Sequence, residues 1–279
     1  MKLRLGGADG NPFLEPEDAI RPVRLGAIFG KRSRAMVPPL RDGGETHAGP
    51  VRSRNEDSFI CRRDLGLWAV ADGAGGHQAG DFASATIVAR LGQLPPGLPA
   101  SRMLAETRRA VEDAHRMLRA EAASRGAGTM IVSTVVALIL RNRHFACLWA
   151  GDSRAYLWRE GRLARLTRDH SLVQDLVDEG EISKEEAERH PQSNIITRAV
   201  GAGSKPLRLD KIIGAIRPGD KFLLCSDGLS KALPDKEIAE LLAASGNGDA
   251  SLPEGLVASA LERAASDNVT ALVVELLAG

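Results

Sequence analysis

The chain has 279 residues, 43% of them hydrophobic and 26% charged, with 37 basic against 36 acidic side chains and a net charge of +1. That length can bury a substantial core, and so even a charge balance gives no general field for nucleic acid or an anionic membrane. Met1-Lys2-Leu3-Arg4 leads into Gly, Asp and Pro rather than an apolar leader, and no run is long enough to span a bilayer; this argues against membrane insertion and for the cytoplasm.

Residues 1–45 read as an extended or partly disordered arm. Asp9-Gly10-Asn11-Pro12, Pro38-Pro39 and Asp42-Gly43-Gly44 interrupt every periodic pattern, Lys31-Arg32-Ser33-Arg34 reads as a solvated basic cluster, and the apolar piece over 23–29 is a candidate to dock on the domain that follows. From His47 the texture is regular, and residues 46–279 read as one domain. Strands are expected over 51–54, 58–62 and 65–71, then a helix over 81–91 ended by Pro95-Pro96-Gly97. A longer helix over 101–123, capped by Ser101, carries Met103, Leu104, Val111, Ala114, Met117 and Leu118 as a core stripe. The β-branched run over 130–140 is a strand, and Arg141-Asn142-Arg143 turns it into the strand before Asp152. A meander follows over 154–158 and 163–166, then helices over 171–179 and 183–189, the latter with Glu185, Glu186 and Glu188 on a wet face. Strands over 207–216 and 222–225, helices over 235–244 and 253–265, and a last strand over 269–276 complete the chain. Helices around many antiparallel hairpins suit an α+β architecture, a strand sandwich covered by helices. Cys61, Cys147 and Cys225 lie far apart in apolar runs and read as buried free thiols.

Acids recur where these apolar runs begin and end. Trp68-Ala69-Val70-Ala71 delivers Asp72 to a glycine-rich turn; His144 to Ala150 delivers Asp152 after Gly151; Phe222-Leu223-Leu224-Cys225 is followed by Ser226-Asp227-Gly228. Asn55-Glu56-Asp57 and Ser266-Asp267-Asn268 precede strands instead. Any one of these is readable as a turn cap. A buried ionised carboxylate needs a partner, however, and acids repeated in this way suit a hard cation such as Mg, Ca or Mn.

Arg52-Ser53-Arg54-Asn55-Glu56-Asp57-Ser58, Ala71-Asp72-Gly73, Trp149-Ala150-Gly151-Asp152-Ser153-Arg154, Leu166-Thr167-Arg168-Asp169-His170-Ser171, Ser226-Asp227-Gly228-Leu229 and Ser266-Asp267-Asn268-Val269-Thr270 resemble, in order and spacing, the motifs of the protein phosphatase 2C (PPM) family of metal-dependent serine/threonine phosphatases, bacterial members above all. The resemblance spans about residues 46–277 and implies an αββα sandwich with a metal centre at its edge. It implies two divalent ions, Mn²⁺ or Mg²⁺, activating a water that attacks a phosphoserine or phosphothreonine ester. By the same resemblance Asp57 and Asp72 are metal ligands, with Asp72 as bridge and the Gly73 carbonyl completing one shell; Asp227 and Asp267 hold the other ion. Glu56 acts through waters, Asp152 shares a third, weaker ion with Asp227, and Arg52 rather than its neighbour Arg54 clamps the phosphate.

The resemblance further implies a monomer that acts on phosphoproteins, opposing a bacterial Ser/Thr kinase, with residues 170–203 as a flap beside the site. The stretches from His190 to Ala202 and from His144 to Trp149 are similar to phosphatases that accompany type VI secretion systems (T6SS). Ala74 stands where many eukaryotic relatives carry a histidine, which leaves His77 or a water as proton donor to the leaving group. Asp169 and His170 read as a local turn and a packed imidazole, and Arg154 as a brace or a substrate contact. The competing reading is a catalytically weak PPM domain that binds phosphoproteins; a lost metal acid would mark it, and Asp57, Asp72, Asp227 and Asp267 are all retained.

Overall fold

The long apolar runs become the inner strands of two antiparallel sheets in the computed structural model, which describes residues 39–75, 79–141, 143–203, 206–245 and 251–277. One sheet orders β1 (Leu40–His47), β11 (Val269–Leu276), β10 (Lys221–Cys225), β7 (Arg154–Arg159) and β8 (Arg162–Arg165). The other orders β2 (Asp57–Arg62), β3 (Leu67–Gly75), β5 (Val135–Arg141), β6 (His144–Ala150) and β9 (Asp210–Ala215), with the short β4 (Ile131–Ser133) pairing the end of β3. Helices α1 (Ala79–Gly92) and α2 (Ala100–Arg125) cover the second sheet, and α6 (Asp235–Ala244) and α7 (Leu252–Glu262) cover the first. Three short helices, α3 (Leu172–Asp178), α4 (Lys184–Glu188) and α5 (Asp227–Ala232), complete the αββα sandwich expected from the sequence.

Strand periodicity explains the layers. Side chains alternate between sheet faces, so Trp68 and Val70 enter the space between the sheets with Leu138, Phe222, Leu224 and Leu272. Leu67, Ala69 and Ala71 point the other way and meet Ile87, Met103, Val111 and Leu118 of the helices. A strand covered on both faces has to be apolar throughout, which is why β3 reads as an unbroken run. The outer face of the first sheet buries Tyr156, Leu223 and Val273 against Ile238, Leu242, Leu256 and Val257. Full burial of each such Leu, Ile or Val contributes roughly 1.5–3 kcal/mol.

Several local expectations need correction. Residues 40–45, assigned to the arm, belong to β1, which pairs with β11 from Leu40↔Leu276 to His47↔Val269. Its glycines are strand residues: a Cβ on Gly44 would lie 2.6 Å from the Phe59 ring. Asp42 accepts the indole N–H of buried Trp68 at 2.8 Å. Residues 1–38, with the basic cluster and the 23–29 piece, lie outside the described residues. Residues 51–54 form a turn rather than a strand. The run over 130–140 is interrupted at Thr134, whose hydroxyl accepts from Asp72 N at 3.1 Å while its own N–H donates to Asp72 O at 2.8 Å. Pro99, not Ser101, stands at the N-cap of α2, where the backbone N–H groups of Arg102 and Met103 bond its carbonyl. Met117 is exposed, because only part of the stripe faces the sheet, and Cys61 is exposed on β2, unlike Cys147 and Cys225.

Candidate active site

The period-two pattern that places Trp68 and Val70 between the sheets carries Asp72 to the same face, at the sandwich edge. Asp57 is its direct cross-strand partner, and directly opposed side chains share a face. The other sheet answers with Thr270 on β11, in phase with the buried Leu272 and Val274. Its hydroxyl donates to Asp57 Oδ2 at 2.6 Å across the two sheets. Asp57 is only 7% exposed, and its Oδ1 is buried with no hydrogen-bond partner.

Three further acids reach the same edge. Asp152 follows β6 and Gly151, is buried, and also keeps an unpartnered Oδ1. Asp227 opens α5, where Lys231, one turn on, places Nζ 2.5 Å from its Oδ2. Asp267 precedes β11; its Oδ1 accepts from Asn268 N at 2.9 Å and its Oδ2 from Arg52 at 2.9 Å. Arg54 lies 3.8 Å from Asp81 instead, so Arg52 is the arginine brought to Asp267.

The loops between the acids are stapled from Asn268. Its Oδ1 accepts from Glu56 N at 2.8 Å, and its amide donates to the carbonyls of Ala48 and Arg54, each at 2.8 Å. Two glycines permit the close packing. A Cβ on Gly73 would sit 1.9 Å from the Gly80 carbonyl oxygen, and one on Gly228 would sit 2.0 Å from that of Asn268. No side chain fits at either place, so the Asp-Gly pairs are dictated by packing as well as chemistry.

The electrostatics are those of crowded like charges. Burial, reinforced by Asp227 and Asp267, pushes the Asp57 carboxyl up to about 7 against the bonds from Thr270 and Ser226. Asp152 is also pushed up to about 7, by burial and by Asp227 and Asp169. Asp72 is raised well above its ordinary value by burial, then by Asp57, Asp227, Asp152 and Asp267. Glu56 is raised by burial and Asp81, with Arg52 opposing. Carboxylates so arranged are stabilised by cations of high charge and hard, oxygen-seeking character. The orphaned, buried Oδ1 atoms of Asp57 and Asp152 fit divalent metal. Among the described residues no three such groups already converge on one point. Asp267 is turned to Arg52 and Asp227 to Lys231 instead.

Beside this edge, residues 170–203 fold over α3 and α4, with Ser171 capping α3 and a Ser183–Glu186 capping box starting α4. The start of this segment is fixed by His170, stacked on Trp149 with ring centroids 6.2 Å apart. Gly151 N donates to its Nδ1 at 3.1 Å, while Nε2 lies 3.2 Å from Asp210 Oδ2 and 3.0 Å from Arg198 Nη1. Burial holds His170 below the ordinary histidine value. The packed-imidazole reading is therefore right, and the ring also holds the Gly151 peptide next to Asp152. Asp169 makes no local turn; it is buried between Arg154, at 2.9 Å, and Arg165. Arg154 is thus a brace. Ala74 is exposed and carries no proton, while His77 lies outside the described residues.

Arg52, Asp57, Asp72, Asp152, Asp227 and Asp267 are thus gathered at one edge, with Glu56 in the loop before β2 and Gly73 still within β3, which runs on to Gly75 and pairs with β4 where the sequence suggested a turn. Sequence reasoning missed Thr270, Asn268, Thr134 and Lys231. Thr270 was detectable in principle, since a hydroxyl in phase with the inward residues of a buried strand needs a polar partner. Lys231 becomes visible only once α5 is known, because its i,i+4 spacing to Asp227 has meaning only on a helix.

Comparison with known proteins identifies relatives of the chain and of its fold. A family model described as Protein phosphatase 2C matches residues 46–252. The serine/threonine phosphatase stp of Listeria welshimeri is 34% identical over 240 residues, covering 82% of this chain and 93% of its own. The serine/threonine protein phosphatase PstP of Mycobacterium tuberculosis is 35% identical over 244 residues, covering 85% of this chain. The chain spans only 45% of the length of PstP. Among solved structures, PppA, described as a key regulatory component of T6SS in Pseudomonas aeruginosa, is 42% identical with a TM-score of 0.76, over 85% of this chain and 97% of that one. The catalytic domain of PstP in complex with two manganese ions is 34% identical with a TM-score of 0.76, over 86% and 99%. Among the described residues no helix is long and apolar enough to cross a membrane.

Proposed function

The chain belongs to the protein phosphatase 2C family, and we propose that it hydrolyses phosphoserine and phosphothreonine monoesters of proteins using two divalent ions held at the sandwich edge. The observation that carries the reading is the cross-strand pair Asp57 and Asp72, crowded by Asp227, Asp152 and Asp267, with a buried carboxylate oxygen left without a partner. Asp57, Asp72 and the Gly73 carbonyl would hold one ion, and Asp72, Asp227 and Asp267 the other, with Glu56 acting through waters. Bound there, the ions neutralise the ester's charge and activate the attacking water.

The chain's own residues do the rest. Thr270 favours the ionised form of Asp57 and aims it, occupying Oδ2 and leaving Oδ1 for an ion. Asn268 fixes the loops bearing Glu56 and Asp267 against each other, so that two strands and two loops present their acids together. Arg52 is half exposed at the mouth. With Asp267 serving as a metal ligand, the Arg52 guanidinium would be free for the oxygens of the phosphate, for which its fork is shaped.

Manganese is the ion we favour over magnesium, on the strength of the manganese-bound relative. The likeness to PppA supports a place opposing a bacterial Ser/Thr kinase of a T6SS, the flap over residues 170–203 sorting its phosphoproteins. We place this activity in a cytoplasmic monomer.

The test is hydrolysis of a chromogenic phosphate monoester and of a phosphothreonine peptide, with and without Mn²⁺, beside Asp227→Asn. Turnover that requires metal and falls at least ~100-fold in the variant is expected, the upper end of what losing an outer-shell partner costs, because Asp227 would be a direct ligand. Metal binding without turnover of either ester would instead favour a phosphoprotein-binding module.

A further inference from the structure

Lys231 has no place in the reaction just described, yet its ammonium sits inside the acidic edge. Helix α5 starts at Asp227, so the residue four positions on lies one turn above it on the same face. Nζ is 2.5 Å from Asp227 Oδ2 and 2.6 Å from Asn194 Oδ1, a residue of the flap. Asp152 and Asp72 both feel the charge of Lys231. Asp152 otherwise faces Asp227 and Asp169 as like charges and holds a buried oxygen that has no partner. A single positive charge therefore sits on Asp227 among these acids, tied to Asn194 as well.

We infer that Lys231 is a built-in cation that takes the place of a third divalent ion between Asp227 and Asp152, and that its tie to Asn194 keeps it there. Two cations cannot share one face of Asp227 without strong repulsion, and a divalent ion doubles the repulsion that a second ammonium would meet. This rests on the metal centre proposed above. The chain as it stands would bind two divalent ions and resist a third, and loss of the ammonium would open the third site. Lys231 is a positioning residue in this scheme, acting through Asp227 and the flap.

The decisive experiment counts Mn²⁺ bound to the full chain by EPR of the free ion, and by calorimetry, for the native protein and for Lys231→Met, Lys231→Arg and Asn194→Ala. Two sites are expected in the native protein and in Lys231→Arg, which restores the charge. Lys231→Met is expected to gain a third site at least ~10-fold tighter than any further binding by the native protein. Asn194→Ala, which frees the ammonium from the flap, should fall between the two. Lys231 is 41% exposed on its helix, so the variants should fold, and thermal melts will show it. Equal stoichiometry and affinity in native protein and Lys231→Met, both holding two ions, would overturn the inference while leaving the metal centre standing. A native protein that binds three ions would overturn it as well, and one that binds none would remove both proposals.

Discussion

Replacing Thr270 by valine removes one hydroxyl and almost no volume, and breaks the bond that joins the two sheets at the acid pair. Two contacts go with it: the 2.6 Å bond to Asp57 Oδ2, in the range of charge-assisted O–H···O⁻ bonds, and a 2.7 Å bond with the Thr46 hydroxyl on β1, which does not touch the acid. Hydrogen bonds to charged groups contribute roughly 1.5–3 kcal/mol, which is about 10- to 150-fold in an equilibrium constant. The sign follows from the proton. The bond favours the ionised carboxylate, so its loss raises an acid that already stands at about 7 and lets protons compete better for the metal. Mn²⁺ affinity measured by EPR should fall ~10–100-fold at pH 7, and the loss should be larger at pH 6 than at pH 8. Affinities within twofold of the native protein at both pH values, with unchanged melting, would refute the role given to Thr270.

Other outcomes follow from the same geometry. The metal-free protein should lose stability as pH rises from about 4 to 7, because Asp57, Asp152 and Asp72 then hold protons that the unfolded chain has released. His170, held low by burial, opposes this below about pH 6.5 as one imidazole against three carboxyls; urea midpoints higher at pH 5.5 than at pH 7.5 in chelator check the balance, and the reverse order would contradict it. Gly73→Ala places a methyl 1.9 Å from a carbonyl oxygen and should cost at least ~3 kcal/mol or prevent folding, read by chemical denaturation. Arg159 and Asp220 form a two-bond ion pair, 2.7 and 2.6 Å, that is nearly sealed from solvent. Asp220→Ala should cost about 3–5 kcal/mol by leaving the buried guanidinium without its counter-charge, though still on the Ala215 carbonyl, whereas breaking the exposed Arg102–Glu106 pair should leave the urea midpoint nearly unchanged.

The acids were legible because each sits where a buried strand begins or ends, and hydropathy marks such ends sharply. Asp72 ends an apolar run, and β11 was read over its full observed length because every residue in it is buried. What hydropathy could not show was β1, whose core contribution is Leu40 and whose glycines look like breakers. It is a strand because β11 offers an open edge and because Gly44 lets the Phe59 ring approach. Pairing of that kind is decided by the partner, not by local propensity. The same holds within the site. The sequence shows which acids are present, but Thr270 facing Asp57, Arg52 on Asp267 and Lys231 on Asp227 are contacts between segments far apart in sequence or on a helix too short to announce itself.

The central claim is that four aspartates, two on strands, one opening α5 and one in the loop before β11, hold two ions. Anomalous scattering from crystals grown with Mn²⁺ tests it most directly. Two peaks about 3.5–4 Å apart, the spacing of paired metal ions that activate a shared water, are expected, with Asp72 reaching both and Asp267 turned away from Arg52. A single peak, or peaks away from Asp57 and Asp72 with the Arg52–Asp267 pair intact, would contradict it.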